Sequence, residues 1–249
     1  MDKNVLEVCV DSVESALAAQ KGGATRLELC SNLIIGGTTP SLGLIDLVNE
    51  TVSLPFHVLI RPRFGDFCYT NYEFEWMKKD ILTAKEHGAK GIVIGILKPN
   101  GELDTERLKC LIDMAYPLHI TLHRAFDVCC NPFEMLDQAK ALNINTILTS
   151  GQQQTCMEAL ECIKRLITAA SDQIEILVGS GINSSNIEHI IKSTSATAYH
   201  LSGKKDKESS MTYRSKTVSM GLSVLSEYTG YETDWLEIKK VKEFIDSFS

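Results

Sequence analysis

Short runs in which apolar and polar residues alternate recur along the whole chain, separated by longer stretches with apolar residues three and four apart. The first pattern has the two-residue period of a strand and the second the roughly 3.6-residue period of a helix. Strands are expected at residues 5–10, 26–30, 56–61, 91–96, 119–123, 146–149, 175–178 and 197–201. The amphipathic stretches between them carry start and stop signals. Asp11 and Glu14 read as a capping box, with Gly22-Gly23 as the stop. Thr70 and Glu73 repeat the box before the third helix, which Gly88 ends, and Asn131-Pro132-Phe133-Glu134 joins an N-cap, a first-turn proline and a closing acid. A last helix is expected over about residues 234–245, with Trp235, Ile238, Val241 and Ile245 at helical spacing.

Eight strands, each followed by a helical stretch, in 249 residues match the size and rhythm of an α/β fold of the (β/α)8 TIM-barrel type. A doubly wound open sheet is the competitor, but it usually has fewer strands, and no Gly-x-Gly-x-x-Gly turn follows the first one. With no proline-rich linker or low-complexity tract, residues 1–249 are expected to form a single domain. Residues 202–232 are long and polar for a βα connection and are expected to hold a short extra helix, a lid or a subunit contact.

The hydrophobic fraction, 44%, supports a large core, and no apolar run is long enough to cross a membrane. The net charge of −7 argues against nucleic acid or anionic lipid as the main partner and leaves room for a local basic patch that binds a small anion. Met1-Asp2-Lys3-Asn4 leads straight into a strand without a basic-then-apolar export signal. Eight cysteines in that context imply free thiols in a reducing compartment. They lie scattered and form no Cys-x-x-Cys pair, so a structural zinc site has little support. The adjacent Cys129-Cys130 reads as packing at a helix entrance.

Two strands nearly repeat each other, Leu6-Glu7-Val8-Cys9 and Leu27-Glu28-Leu29-Cys30. Alternation puts Glu7 with Cys9, and Arg26 with Glu28 and Cys30, on the faces opposite their leucines and valine. With the apolar faces covered by helices, the ionisable faces look into a shared interior, where they must be paired or used. Catalytic groups of barrels come from the C-terminal strand ends. Here those ends carry Glu7/Cys9, Glu28/Cys30, Arg61-Pro62-Arg63, His123-Arg124, Thr149-Ser150-Gly151, Gly179-Ser180-Gly181 and His200/Ser202. So many polar ends at matching positions point to a ligand site. Glu7 and Glu28 either pair with Arg26, Arg61 or Arg63 as a buried network or form an acid–base pair; both readings stand. His123 and His200 lie where function is favoured over packing. Arg124 and Asp127 read most simply as anchors of the following loop, with ligand contact as the lesser role. The turn around Gly179 and Gly181 reads as an anion cradle before a helix, and Ser202-Gly203-Lys204-Lys205 adds a hydroxyl and cations. Cysteine thiolates suit Cu(I), and Cys9 and Cys30 stand on neighbouring strands, although alternating layers would stagger the two sulfurs and two buried thiols are more often packing residues than ligands.

Together these segments resemble the CutC family, named for copper homeostasis. The likeness is carried by residues 7–12, 26–31 and 36–41, by Ile60-Arg61-Pro62-Arg63 and Gly65-Asp66-Phe67, by Thr121-Leu122-His123-Arg124-Ala125-Phe126-Asp127, and by Leu148-Thr149-Ser150-Gly151. It spans most of the chain and weakens towards the C-terminus; Ser180 departs from a turn that is usually all glycine. The resemblance implies a (β/α)8 barrel, a cytoplasmic location, assembly into a dimer or tetramer, and a role in copper handling with Cu(I) bound by Cys9 and Cys30. Two functions follow. One is a Cu(I)-binding protein. The other is an enzyme acting on a small anionic or phosphorylated metabolite, with Glu7, Glu28, Arg61 and His123 as catalytic groups and Arg63, Arg124, Asp127, Gly179, Gly181, His200 and Ser202 as ligand-binding residues. No organic cofactor is evident.

Overall fold

A computed structural model describes residues 4–218, 220 and 225–248 of the chain. The opening Met1-Asp2-Lys3 and five positions of the 202–232 connection (219 and 221–224) lie outside the described residues.

Eight parallel strands close into a barrel in chain order. They are β1 (Val5–Val10), β2 (Arg26–Leu29), β3 (Phe56–Leu59), β4 (Gly91–Ile94), β5 (His119–Leu122), β6 (Thr146–Thr149), β7 (Glu175–Gly179) and β8 (Ala198–Leu201). Around them pack α1 (Val13–Gly22), α2 (Leu42–Thr51), α3 (Asn71–Glu86), α4 (Thr105–Ala115), α5 (Pro132–Ala141), α6 (Leu160–Ala170), α7 (Ile187–Thr194) and α8 (Trp235–Ser247). Strands end up to two residues earlier than alternation predicts at β2 to β5, although Cys30 N, Ile60 N and His123 N still donate to carbonyls of the neighbouring strands. The first helix also starts differently. Ser12, not Asp11, is its N-cap, and the Ser12 hydroxyl accepts from Ser15 N at 3.2 Å. The Thr70–Glu73 box and the Asn131 cap form as expected.

The outward strand residues Leu6, Val8, Leu27, Leu29, Val58 and Ile92 are fully buried against the helices, among them Ala16 and Ala19 of α1 and Ile238, Val241 and Ile245 of α8. Truncating one such side chain to alanine costs about 2–5 kcal/mol. The interior differs sharply. Its apolar residues form only two small clusters, Cys30–Leu59–Val93 and Leu148–Leu177–Ala198, and the rest of it is polar.

Strand stagger sorts the interior into layers drawn from alternate strands. The register places Cys9, Leu59, His123 and Gly179 in one layer near the mouth, and Glu28, Val93, Leu148 and His200 in the layer beneath. Glu7, His57, Thr121 and Leu177 follow below that. β4 and the residue just after it make room for two imidazoles: a Cβ on Gly91 would sit 2.6 Å from His57 Cδ2, and one on Gly95 would sit 2.5 Å from His123 Cε1. Alanine at either position would displace a ring.

The long connection contains a strand pair. β9 (Lys204–Glu208) and β10 (Thr229–Thr233) form an exposed antiparallel ribbon with Lys204 opposite Thr233. Its base is tied down where Asp234 N donates to the Gly203 carbonyl at 2.8 Å and Thr233 N to Ser15 Oγ at 3.2 Å. Among the described residues no helix is long and apolar enough to cross a membrane.

Candidate functional site

Strands β8, β1 and β2 hold a dense set of ionisable groups. Glu7, wholly buried, is its centre. Arg26 Nε donates to Glu7 Oε2 at 2.5 Å, His200 Nδ1 lies 2.8 Å from Oε1, and His57 Nδ1 stands 3.9 Å from Oε2. Burial pushes this carboxyl up, but Arg26, then His200 and His57, outweigh burial and hold it well below the usual carboxylate range. An ionised carboxylate only accepts, so His200 Nδ1 carries a proton and donates to it. The other nitrogen of the ring, Nε2, is 3.7 Å from Glu28 Oε2.

Cys9 completes the group. One ligand atom each from Cys9, Glu28 and His200 lie within 4.8 Å of one another. The layers explain why: Glu28 and His200 share a level on the two strands flanking β1, and Cys9 stands one step above, between them. Burial works against an imidazolium at His200, yet Cys9, Glu7 and Glu28 around it raise its pKa well above the ordinary value. Burial raises Glu28 to about 7; His200 offsets part of this, Glu7 adds to it, and Arg26 lowers it again.

Cys30 has different surroundings. It sits a further layer towards the mouth, fully buried beside Leu59 and Val93, and its Sγ donates to the Val10 carbonyl at 3.4 Å. Burial, with Glu28 next in effect, pushes its thiol well above the ordinary range. All eight cysteines are free.

Above Cys9, Glu28 and His200 opens a cavity of about 160 Å³, walled by Leu33, Leu59, Phe67 and Leu148 and bordered by Arg61, His123 and Arg124. His123 Nδ1 accepts from Ala125 N at 3.0 Å, so its Nε2 bears the proton; that buried N–H has no partner. Burial, and then Arg61, lower this histidine to about 3, so the ring is neutral. Arg61 spends most of its donors on loops, giving Nη1 to the Gly36 and Gly37 carbonyls (3.0 and 2.9 Å) and Nη2 to Gly65 O (2.9 Å); its Nε is buried without a partner.

The remaining expected residues scatter. Arg63 lies outside the cavity, held by Glu73 at 2.6 Å and Asp66 at 3.0 Å. Arg124 is fixed by Asp127 (2.7 Å) and Ser150 Oγ (2.9 Å), while Asp127 accepts from Thr149 Oγ1 and from Ser150 N, which anchors the loop after β6. Ser202 borders the clefts on either side of the β9–β10 ribbon rather than the cavity. Gly179 and Gly181 flank Ser180, whose hydroxyl donates to Gln154 O at 2.8 Å. Beyond that turn an anion is already supplied: Glu237 of α8 accepts from Ser184 N at 2.6 Å and from Ser184 Oγ at 2.8 Å.

Below the site lies a second polar chain that the strand-end rule overlooks. His119 Nε2 lies 2.8 Å from Thr146 Oγ1, which donates to Glu175 Oε2 at 3.1 Å; Glu175 is 3.8 Å from Arg26 Nη2, and the His57 and His119 rings stack with centroids 4.8 Å apart. The signal for His57 was its parity with Arg61 along β3. Glu237, more than fifty residues from the turn it caps, has no such signal.

A sequence profile of the CutC family matches residues 4–205. The copper homeostasis protein cutC homolog of Homo sapiens is 43% identical over 236 residues, covering 94% of this chain and 86% of that protein. A CutC family protein of Bacteroides fragilis is 43% identical over 251 residues, covering 100% of this chain and 99% of its own length. The crystal structure of CutC from Streptococcus agalactiae superposes with a TM-score of 0.76 at 34% identity, over 80% of this chain and 98% of that one. With a matched profile over most of its length and relatives above two-fifths identity, the chain belongs to the CutC family.

Proposed function

We propose that this chain serves copper homeostasis as a Cu(I)-binding protein, with Cys9 and His200 as the ligands and Glu28 as the third neighbour of the ion. The observation that carries this reading is the convergence of thiol, imidazole and carboxylate within 4.8 Å at one buried spot. A thiolate and an imidazole suit a soft ion that accepts few ligands. Glu7 on the far nitrogen of His200 supports the reading further, because a carboxylate there fixes the tautomer and frees Nε2 for a metal. The ion would take the place of the Nε2 proton, so affinity should rise with pH. The bond from Cys30 to the Val10 carbonyl and its offset from Cys9 favour His200 over Cys30 as second ligand.

A Cu(I) competition titration tests this. Cys9→Ser should abolish tight binding, Glu7→Gln should weaken it roughly 10- to 100-fold, and Cys30→Ser should leave it close to wild type. Unchanged affinity in Cys9→Ser would end the reading. The family likeness extends it to a reducing, cytoplasmic setting and self-association into a dimer or tetramer, which sedimentation equilibrium checks.

One observation favours a second reading, an enzyme acting on a small anionic molecule. Two thiol and imidazole ligands leave the cavity and the unpartnered N–H of His123 unexplained. A pair of titratable groups, Glu28 and His200, faces that cavity as acid and base. Turnover of a small acid by metal-stripped protein would support it, and absence of turnover across a panel of such acids would end it.

A further inference from the structure

We propose that the mouth cavity binds a compact, unphosphorylated carboxylic acid of about two or three carbons carrying a 2-oxo or 2-hydroxy group, whose oxygen accepts the Nε2–H of His123. The inference rests on the enzyme reading of this cavity and narrows its substrate class.

Four observations carry it. First, the His123 donor is built in. The Ala125 N–H at 3.0 Å occupies Nδ1, which leaves Nε2 as a donor, and this nitrogen is buried on a residue only 5% exposed with no protein partner. A buried donor without an acceptor costs about 1–3 kcal/mol, which a ligand oxygen would restore. Second, cations outnumber carboxyls at the cavity, Glu28 being the one carboxyl among the described residues that lines it. Arg61 and Arg124 border the same cavity, and Arg61 Nε is a second buried N–H without a partner. Third, the volume of about 160 Å³ falls below that of pockets for larger metabolites, and Leu33, Leu59, Phe67 and Leu148 give the ligand apolar walls. His123, His200 and Cys9 line the same small cavity, which offers polar groups to a molecule with oxygens on adjacent carbons.

The fourth observation concerns phosphate. Barrels commonly hold phosphate after strands seven and eight. Here Glu237 fills that role with its own carboxylate on Ser184 N and Oγ, and Asp234 borders the same cleft. Lys204 and Lys205 line that cleft too, but it shares no lining residue with the mouth cavity, so a phosphate held there would sit apart from His123.

The test is histidine side-chain ¹⁵N NMR on wild-type protein stripped of metal by a chelator, titrated with pyruvate, glycolate and inorganic phosphate. Pyruvate or glycolate should shift the His123 Nε2–H resonance and saturate, and phosphate should not. His123→Leu should lose affinity roughly 10- to 100-fold, while His123→Gln, which keeps an N–H donor, should recover most of it. If His123→Leu does not fold, the wild-type spectra decide. No shift with either acid, or tighter binding of phosphate than of pyruvate, would overturn the inference. Binding without turnover would end the enzyme reading and leave this inference standing. Turnover of a molecule without a carboxylate, with no pyruvate binding, would do the reverse.

Discussion

Strands β1 and β2 carry almost the same four residues, Leu6-Glu7-Val8-Cys9 and Leu27-Glu28-Leu29-Cys30, yet the two copies live in different chemical worlds. Glu7 is gripped by Arg26 at 2.5 Å and His200 at 2.8 Å, while Glu28 has only a 3.7 Å approach from His200. Cys9 stands beside an imidazole and a carboxylate, and Cys30 bonds a backbone carbonyl among Leu59 and Val93. Adjacent strands of a closed barrel are staggered, so a repeated motif is lifted one layer between copies. The lower glutamate meets the arginine, the upper thiol meets apolar side chains, and the two residues between them, Glu28 and Cys9, face the ligand space. A motif's chemistry is set by its height in the barrel as much as by its residues.

The comparison can be broken most forcefully at the glutamates. Glu7→Gln leaves the buried Arg26 guanidinium with only the more distant Glu175, at 3.8 Å, as counter-charge and should lower unfolding free energy by about 3–5 kcal/mol. Glu28→Gln at pH 7 should cause no such loss, because burial already works against the charged form of that carboxyl. Urea denaturation of both variants measures the contrast, and equal losses would contradict it.

The pH dependence should also differ in sign. Unfolded Glu28 releases its proton near 4.5 and the folded group near 7. Between those values the folded chain holds a proton that the unfolded chain lacks, so this residue makes stability fall as pH rises, by about 1.4 kcal/mol per pH unit. Relative to wild type, Glu28→Gln should therefore gain roughly 3 kcal/mol between pH 4.5 and 7. Glu7 is the opposite case: its folded pKa is depressed, so its contribution is complete above about pH 4.5 and is lost as pH falls further. Denaturation midpoints across pH 4–8 for wild type and Glu28→Gln check the sign.

A smaller effect sharpens the contrast between thiols. Cys30→Ser places a hydroxyl among apolar neighbours and should cost about 1–2 kcal/mol. Cys9→Ser should cost less, because its hydroxyl would lie beside the polar groups of Glu28 and His200. Thermal melts of the two variants distinguish them.

Much of this was legible beforehand. Alternation located all eight strands, since each buries one face against helices, and parity alone put Glu7, Cys9, Glu28 and Cys30 inside. Two things were not legible. Alternating layers already implied that Cys9 and Cys30 are staggered, but which side chains share each level is a property of barrel closure, so His200 and Glu28 beside Cys9 were not readable. Interactions across the chain, such as Glu237 on Ser184 or His200 on Glu7, depend on which elements meet and leave no local spacing. The strand-end rule also directed attention away from His57 and His119, at or near the starts of their strands, where a polar chain through Thr146 and Glu175 fills the lower barrel.

X-ray absorption at the copper K edge of protein incubated with Cu(I) tests the proposed Cu(I) site most directly. Cys9 with His200 predicts a first shell of one sulfur and one imidazole nitrogen, lost in Cys9→Ser and intact in Cys30→Ser. A shell of two sulfurs and no nitrogen, or one unaffected by removal of Cys9, would contradict it.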